Sequence, residues 1–184
     1  MSVPLLLVRH AEAEAGWGED PDPGLSDAGQ QQATRLAIEL HENFSNTVRL
    51  VSSPMRRAQE TVSPLASLWS QTPEIDDRVR EVPSPVEFSS RGQWIRQFMT
   101  ERWSDQPPLL QDWRQHMLTA LSAMTQPTIV VTHFVVINAV IASLQNTDQT
   151  LVFWPDYVSV TQIQNVAGRL SIVALGADKR SRVN

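Results

Sequence analysis

The chain has 184 residues, of which 15 are basic and 20 acidic, for a net charge of −5. At that length a single domain spanning 1–184 and burying its own core is expected, with no need of disulfides or a structural metal. Cysteine is absent, which excludes disulfide frameworks, thiol nucleophiles, Cys-ligated zinc and iron–sulfur clusters. The basic residues are fourteen Arg and one Lys, Lys179. Residues 1–34 hold one Arg and six acids, so residues 35–184 carry 14 charges of each sign and the excess belongs to the first fifth of the chain. An acidic chain without a basic stripe is a poor binder of nucleic acid or anionic membrane, and neither is expected as a partner.

Ala11, Ala13 and Ala15 imitate a signal-peptidase site. The apolar run before them, Val3–Val8, spans only six residues and is interrupted by Arg9-His10, whereas a secretory core needs roughly 7–15. The other long apolar tract, Ile129–Leu144, is broken by Thr132, His133, Asn138 and Ser143, short of a membrane span. A soluble, cytoplasmic protein is therefore expected.

In chain order, Val3–Val8 reads as a strand covered on both faces, followed by an acidic, Gly/Pro-rich loop over Glu12–Gly24. Ser26 suits a helix N-cap, with Asp27 in the first turn and Ala33, Leu36, Ala37, Leu40 and Phe44 at helical spacing. Val48–Ser52 is a second strand. Ser53-Pro54 then supplies a cap with proline at the first helical position, before a stripe of Ala58, Val62, Leu65, Ala66 and Trp69, with a kink expected at Pro64. Residues 72–90 lack periodicity. Helices are expected at Arg91–Trp103 and Pro108–Met124, a buried strand at Thr128–Thr132 and an almost wholly apolar helix at Val135–Leu144. Tyr157–Ile163 and Leu170–Ala174 read as closing strands around a turn at Asn165–Arg169. This alternation predicts an α/β three-layer sandwich: a mainly parallel sheet with one antiparallel edge strand, helices on both faces, and a small helical cap insertion at 72–126.

Three segments place a cation or an imidazole where a strand ends, and in parallel α/β folds that edge binds ligands. They are Leu5–His10, Ser52–Thr61 and Ile129–His133. The Arg56-Arg57 pair lies in a helix's first turn, where the dipole disfavours cations unless an anion shares the site. Each fragment also has a plain structural reading: a solvated strand end, an Arg paired with Glu60, a hydrogen-bonded core histidine. Their joint occurrence favours a shared anion site over these plain readings.

In combination these segments resemble the histidine phosphatase superfamily, the phosphoglycerate-mutase-like proteins with an Arg-His-Gly motif. Arg9-His10-Ala11 matches the first motif, and Leu25-Ser26-Asp27-Ala28-Gly29-Gln30-Gln31-Gln32-Ala33 resembles the helix start that follows it. Ser53–Thr61 matches Ser-x-x-x-Arg-Ala-x-x-Thr, which selects Arg57 over Arg56. Val131–Asn138 resembles the His-Gly-x-x-Ile-Arg block. The resemblance implies a cup of Arg9, His10, Arg57 and His133, in which His10 carries a phosphoryl group and Arg9, Arg57 and His133 hold its oxygens. It implies a metal-independent phosphomonoesterase without a cofactor. Glu81 is the best match to the proton donor, with Glu12 and Glu14 as rivals; a surface pair with Arg78 or Arg80 is the plain alternative for Glu81.

Four features depart from the pattern. Ala11 and Phe134 replace glycines, Phe134 standing where backbone would approach a phosphate, so that its ring either blocks that approach or walls the substrate pocket. Gly16-Trp17 replace small polar residues, and Pro83-Ser84-Pro85 follow Glu81. Arg78 and Arg80 are candidate substrate contacts beside Phe134. The acidic loop Glu12–Asp22 is expected to rim the cup and to favour small phosphomonoesters or neutral-to-basic phosphoproteins. Two alternatives stand beside the leading reading, a phosphohistidine-protein phosphatase and a phospho-ligand-binding module of weak turnover. His41 and His116 are expected on exposed or satisfied helix faces, and Trp94, Trp103 and Trp113 mainly in the core.

Overall fold

Alternate residues of the first apolar run enter different cores, which is what a strand buried on both faces requires. Leu5 and Leu7 join Val130, Phe98, Leu110, Met117 and the apolar helix after His133 on one side. Leu6 and Val8 join Ile129, Val131, Leu36, Leu40, Val62 and Leu65 on the other. The computed structural model describes residues 2–16 and 19–179. Its strands are β1 (Ser2–Arg9), β2 (Arg49–Ser52), β3 (Glu74–Ile75), β4 (Thr128–Thr132), β5 (Val160–Val166) and β6 (Arg169–Ala174). The helices are α1 (Asp27–Asn43), α2 (Arg56–Trp69), α3 (Arg91–Phe98), α4 (Pro108–Ser122) and α5 (Phe134–Leu144).

The sheet has the order β3-β2-β4-β1-β5-β6. The first four are parallel, while β5 runs antiparallel to β1 and β6 antiparallel to β5, so the antiparallel edge holds two strands. Helices α1 and α2 cover one face, and α3, α4 and α5 contribute to the core on the other. Helix α5 is apolar all round because nine of its residues, Phe134–Ala142, are buried; each large aliphatic side chain so buried contributes about 1.5–3 kcal/mol.

Several boundaries differ from expectation. Helix α2 begins at Arg56 with Met55 as its N-cap, not at Ser53-Pro54. The Ser53 hydroxyl accepts Met55 N–H at 3.2 Å and lies 2.6 Å from His133 Nε2. The cap is supplied from far away instead, because Asp22 Oδ1 accepts Arg56 N–H at 2.8 Å. The helix expected over Arg91–Trp103 stops at Phe98, and Trp103–Asp105 forms a separate single turn. Strand β5 starts at Val160 rather than Tyr157, since Val158 has φ +53° and Ser159 N–H bonds back to Asp156. The hairpin turns through Ala167 and Gly168 at φ +51° and +85°, the positive values that a two-residue β-hairpin favours.

Residues 72–126, expected as a cap, are divided in the structure. Helix α4 packs on α5 and β6, within the helical layer. The shorter stretch 80–91 instead supplies residues to the wall of the cavity described below. Among the described residues no helix is long and apolar enough to cross a membrane.

Candidate active site

The parallel pairing sets the site. Arg9 is in register with Thr132, and Ser52 with Val131. The ladder continues one residue past the strands, with His10 N–H bonded to the Thr132 carbonyl at 2.9 Å and Ser53 N–H to that of Val131 at 3.0 Å. His10, Ser53 and His133 thus leave three neighbouring strands together.

Hydrogen bonding fixes the imidazole of His10. Its Nδ1 lies 2.7 Å from the Ala11 carbonyl, which can only accept, so Nδ1 carries the proton. Nε2 is left with its lone pair and accepts Arg57 Nε–H at 3.2 Å. Burial, reinforced by the Arg57 and Arg9 charges and opposed only by the Ala11 carbonyl, holds the pKa of His10 well below 6.5. The ring is neutral at physiological pH, which is the nucleophilic form.

Arg57 binds both histidines, because its Nη2 also donates to His133 Nδ1 at 3.3 Å. His133 is wholly buried behind Arg57 and does not itself line the cavity described below. Burial first, then Arg57, hold it below the ordinary histidine range too. Its Nε2–H therefore faces Ser53 Oγ, a group able to accept or donate. The two rings are 5.2 Å apart.

The loop after His10 is held by residues that the second and third motifs supply. Thr61 Oγ1 accepts Ala11 N–H at 2.9 Å while donating to the Arg57 carbonyl at 2.6 Å, which ties the histidine's segment to the arginine's helix. Gln32 accepts Glu12 N–H, and Ser26 both caps α1 at Gly29 and donates to Glu12 Oε1. Gly29 touches the same loop so closely that a Cβ there would stand 2.0 Å from the Glu12 carbonyl oxygen. Ala11, Leu25 and Ala33 fill the space between.

Above the histidines lies a cavity of about 510 Å³, within the range of small-molecule sites. Arg9, His10, Arg57 and Glu81 line it. Arg9 donates through Nη1 to the Pro155 carbonyl at 2.8 Å and stands 4.1 Å from the Tyr157 ring centre and 5.2 Å from that of Phe134. Burial pushes its pKa below the ordinary guanidinium range, opposed by Tyr157, Glu81 and Asp156. Phe134, which packs on Trp154 at 5.2 Å, is thus a platform beneath Arg9 and a wall of the cavity. Glu81 is 4 % exposed; Oε1 accepts Val82 N–H at 3.0 Å, and Oε2 is buried without a partner, as is Arg9 Nε. Burial raises the pKa of Glu81 above 4.5 against the pull of Arg57, Arg91 and Arg9.

Other candidates fall elsewhere. Arg80 lines the cavity, held by Asp77 at 2.7 Å, whereas Arg78 does not and pairs with Asp76 at 2.7 Å. Arg56 is exposed and pairs with Glu60 at 2.7 Å. Glu12 and Glu14 do not line the cavity: the first accepts from Ser26, the second from Gly24 N–H. Of the acidic loop only Asp20 contributes a carboxylate to the wall, so the expected acidic rim reduces to one residue; Trp17 lies outside the described residues. Trp154, Tyr157, Arg91 and Lys179 line the cavity without having been singled out from sequence. The Trp154-Pro155-Asp156-Tyr157 cluster was the one available signal. Among the described residues no group of three or more His, Asp or Glu side chains is arranged to hold a metal ion.

The geometry can be set beside known proteins. The sequence model of the histidine phosphatase superfamily (branch 1) matches residues 5–178. The 5''-phosphoribostamycin phosphatase of Niallia circulans is 32% identical over 102 residues, a match that takes in 49% of this chain and 47% of that protein; the match thus spans about half the length of the curated relative. The phosphoserine phosphatase of Entamoeba histolytica, solved with 3-phosphoglyceric acid, superposes with a TM-score of 0.75 at 20% identity, covering 96% of this chain and 98% of that one. The mycobacterial glucosyl-3-phosphoglycerate phosphatase, solved with VO3, superposes with a TM-score of 0.70 at 19% identity, covering 96% and 100%. At such identities the structural likeness is one of fold. The sequence match, running from β1 past β6, carries the assignment: the chain belongs to the histidine phosphatase superfamily, branch 1.

Proposed function

We infer that the protein is a phosphomonoesterase working through a phosphohistidine on His10, without a metal. The observation that carries this reading is the buried, neutral His10, whose Nδ1 proton is committed to the Ala11 carbonyl while Nε2 keeps its lone pair beside Arg57 at the cavity. The three relatives compared above are phosphatases by name, which agrees with it.

In the first step Arg57 moves its N–H donors from the imidazoles to phosphoryl oxygens, and Arg9 presents Nε–H to another. Nε2 of His10 forms a bond to phosphorus as the ester P–O bond breaks, and the Glu81 carboxyl gives its proton to the departing alkoxide. Removal of Arg57 from His133 leaves Nδ1 of that ring facing the phosphoryl group. A proton taken there from the monoanion of the bound phosphomonoester, with Nε2–H still held by Ser53 Oγ, makes the ring one more donor to a phosphoryl oxygen. In the second step water attacks phosphorus, gives a proton to the Glu81 carboxylate, and the P–N bond breaks. Bidentate arginine forks suit the equatorial oxygens better than lysine would.

Hydrolysis of phenyl phosphate tests the reading. Turnover that persists in EDTA and falls roughly a thousandfold or more in His10→Ala is expected, since the nucleophile itself is lost. Activity that vanishes with chelator, or survives in the variant, contradicts it.

A further inference from the structure

The charges around the cavity do not balance a simple phosphomonoester. Five cationic side chains line it, Arg9, Arg57, Arg80, Arg91 and Lys179, against the Asp20 carboxylate and Glu81, which burial holds toward its neutral form. Arg9 and Arg57 match the two negative charges of a phosphomonoester dianion, and Arg80 is paired with Asp77 at 2.7 Å. Asp20 already accepts Asp22 N–H at 2.8 Å. Arg91 and Lys179 are left over, and neither forms an ion pair with a carboxylate among the described residues.

Both are built into place. Lys179 is the chain's sole lysine. Its segment is strapped to the loop bearing Trp154 and Tyr157, because Lys179 N–H donates to the Trp154 carbonyl at 2.8 Å and Asp156 N–H to that of Ala177 at 2.8 Å. Lys179 Nζ then stands 5.3 Å from the Tyr157 ring centre, on the aromatic ring that Arg9 also uses. Arg91 donates through Nη2 to the Val82 carbonyl at 3.0 Å, which fixes one arm of its guanidinium on the Glu81-Val82 segment. The same cavity also has apolar wall, from Trp154, Phe134, Val82 and Phe88.

We propose that Lys179 and Arg91 form a second anion subsite at the mouth of the cavity, and that the substrate is a phosphomonoester whose alcohol carries an uncharged body ending in another anionic group. This inference rests on the phosphomonoesterase reading but is tested without turnover. Benzylphosphonate, 4-carboxybenzylphosphonate and 4-(aminomethyl)benzylphosphonate share the phosphonate and the apolar body and differ in the distal charge. Their dissociation constants are measured by calorimetry on the wild type, Lys179→Gln and Arg91→Gln at low salt.

The wild type is expected to bind the carboxylated compound about tenfold more tightly than the parent, as charge-assisted contacts predict. The ratio should fall to about twofold in either variant and shrink in high salt. Lys179 is exposed, so its variant keeps the fold and suffices alone if the Arg91 variant does not. A ratio near one in the wild type, a ratio unchanged in the variants, or tighter binding of the aminomethyl compound, which Asp20 would favour, overturns the proposal. A protein that binds in the expected order but hydrolyses no phenyl phosphate contradicts the phosphomonoesterase reading and leaves the subsite standing.

Discussion

At the scale of single residues, the site is a set of groups whose environments push them to opposite protonation states. Glu81 is held toward its neutral acid by burial, and His10 toward its neutral base by burial and two arginines. A general acid must carry its proton, so kcat/KM should fall as pH rises through the raised pKa of Glu81. The acidic limb assigned to His10 should lie below 6.5, because the imidazole stays neutral there. Glu81→Gln is expected to lower turnover of alkyl phosphates by a few hundredfold and to flatten the alkaline limb, with a smaller loss for phenyl phosphate, whose leaving group needs less help. An alkaline limb that persists in the variant assigns the proton to another group.

The residue-level reading from sequence singled out Arg9 and His10 at the end of one strand, His133 after another and Arg57 in a helix's first turn, positions visible in local pattern, with the resemblance choosing Arg57 over Arg56. It preferred Glu81 to Glu12 and Glu14 on the resemblance alone, since what separates the three physically is burial. Glu12 and Glu14 spend their carboxylates on the loop and on Ser26 and Gly24, contacts that no spacing rule reveals. Arg78 looked equivalent to Arg80 in sequence, yet the turn at Asp77–Val79 sends only the second to the cavity.

At the scale of elements, the motifs act as clamps. Gly29 is required by proximity to the Glu12 carbonyl, so Gly29→Ala should force α1 off the loop that follows His10. A loss of about 1–3 kcal/mol in urea denaturation is expected, as for other overpacked sites. Thr61→Val leaves Ala11 N–H buried without an acceptor, at a cost of about 1–3 kcal/mol, and should lower kcat more than it raises KM because the nucleophile is held less firmly. Asn138 performs the corresponding task for the Trp154–Tyr157 loop, its Oδ1 accepting the N–H groups of Val152 and Phe153 at 2.9 and 3.1 Å. Elements whose caps are local, such as α1 with Ser26, were legible in sequence. The start of α2 was not, because its acceptor comes from Asp22, 34 residues away.

At the scale of the whole molecule, the parallel core strands and their two helical layers followed from hydrophobic pattern, whereas the strap between Ala177–Lys179 and Trp154–Asp156 depends on long-range backbone bonds and was invisible. Two imidazoles buried neutral also couple the site to global stability. In the window between their lowered native pKa values and 6.5, the unfolded chain binds protons that the folded chain does not. Stability should therefore decline as pH falls below 6.5. Glu81 opposes this, since its raised pKa lets the native state take up a proton first. A His10→Asn, His133→Asn double variant should show a shallower fall of melting temperature on acidification; an unchanged slope would show that the acid sensitivity arises elsewhere.

Whether His10 carries the phosphoryl group is read by rapid mixing with phenyl phosphate, alkaline quenching to preserve a phosphoramidate, and mass spectrometry of the peptide that contains His10. One phosphoryl group on His10 within the first turnover, absent from His10→Ala, is expected. Turnover with no covalent phosphoryl group at any time, or with the label on another residue, contradicts it.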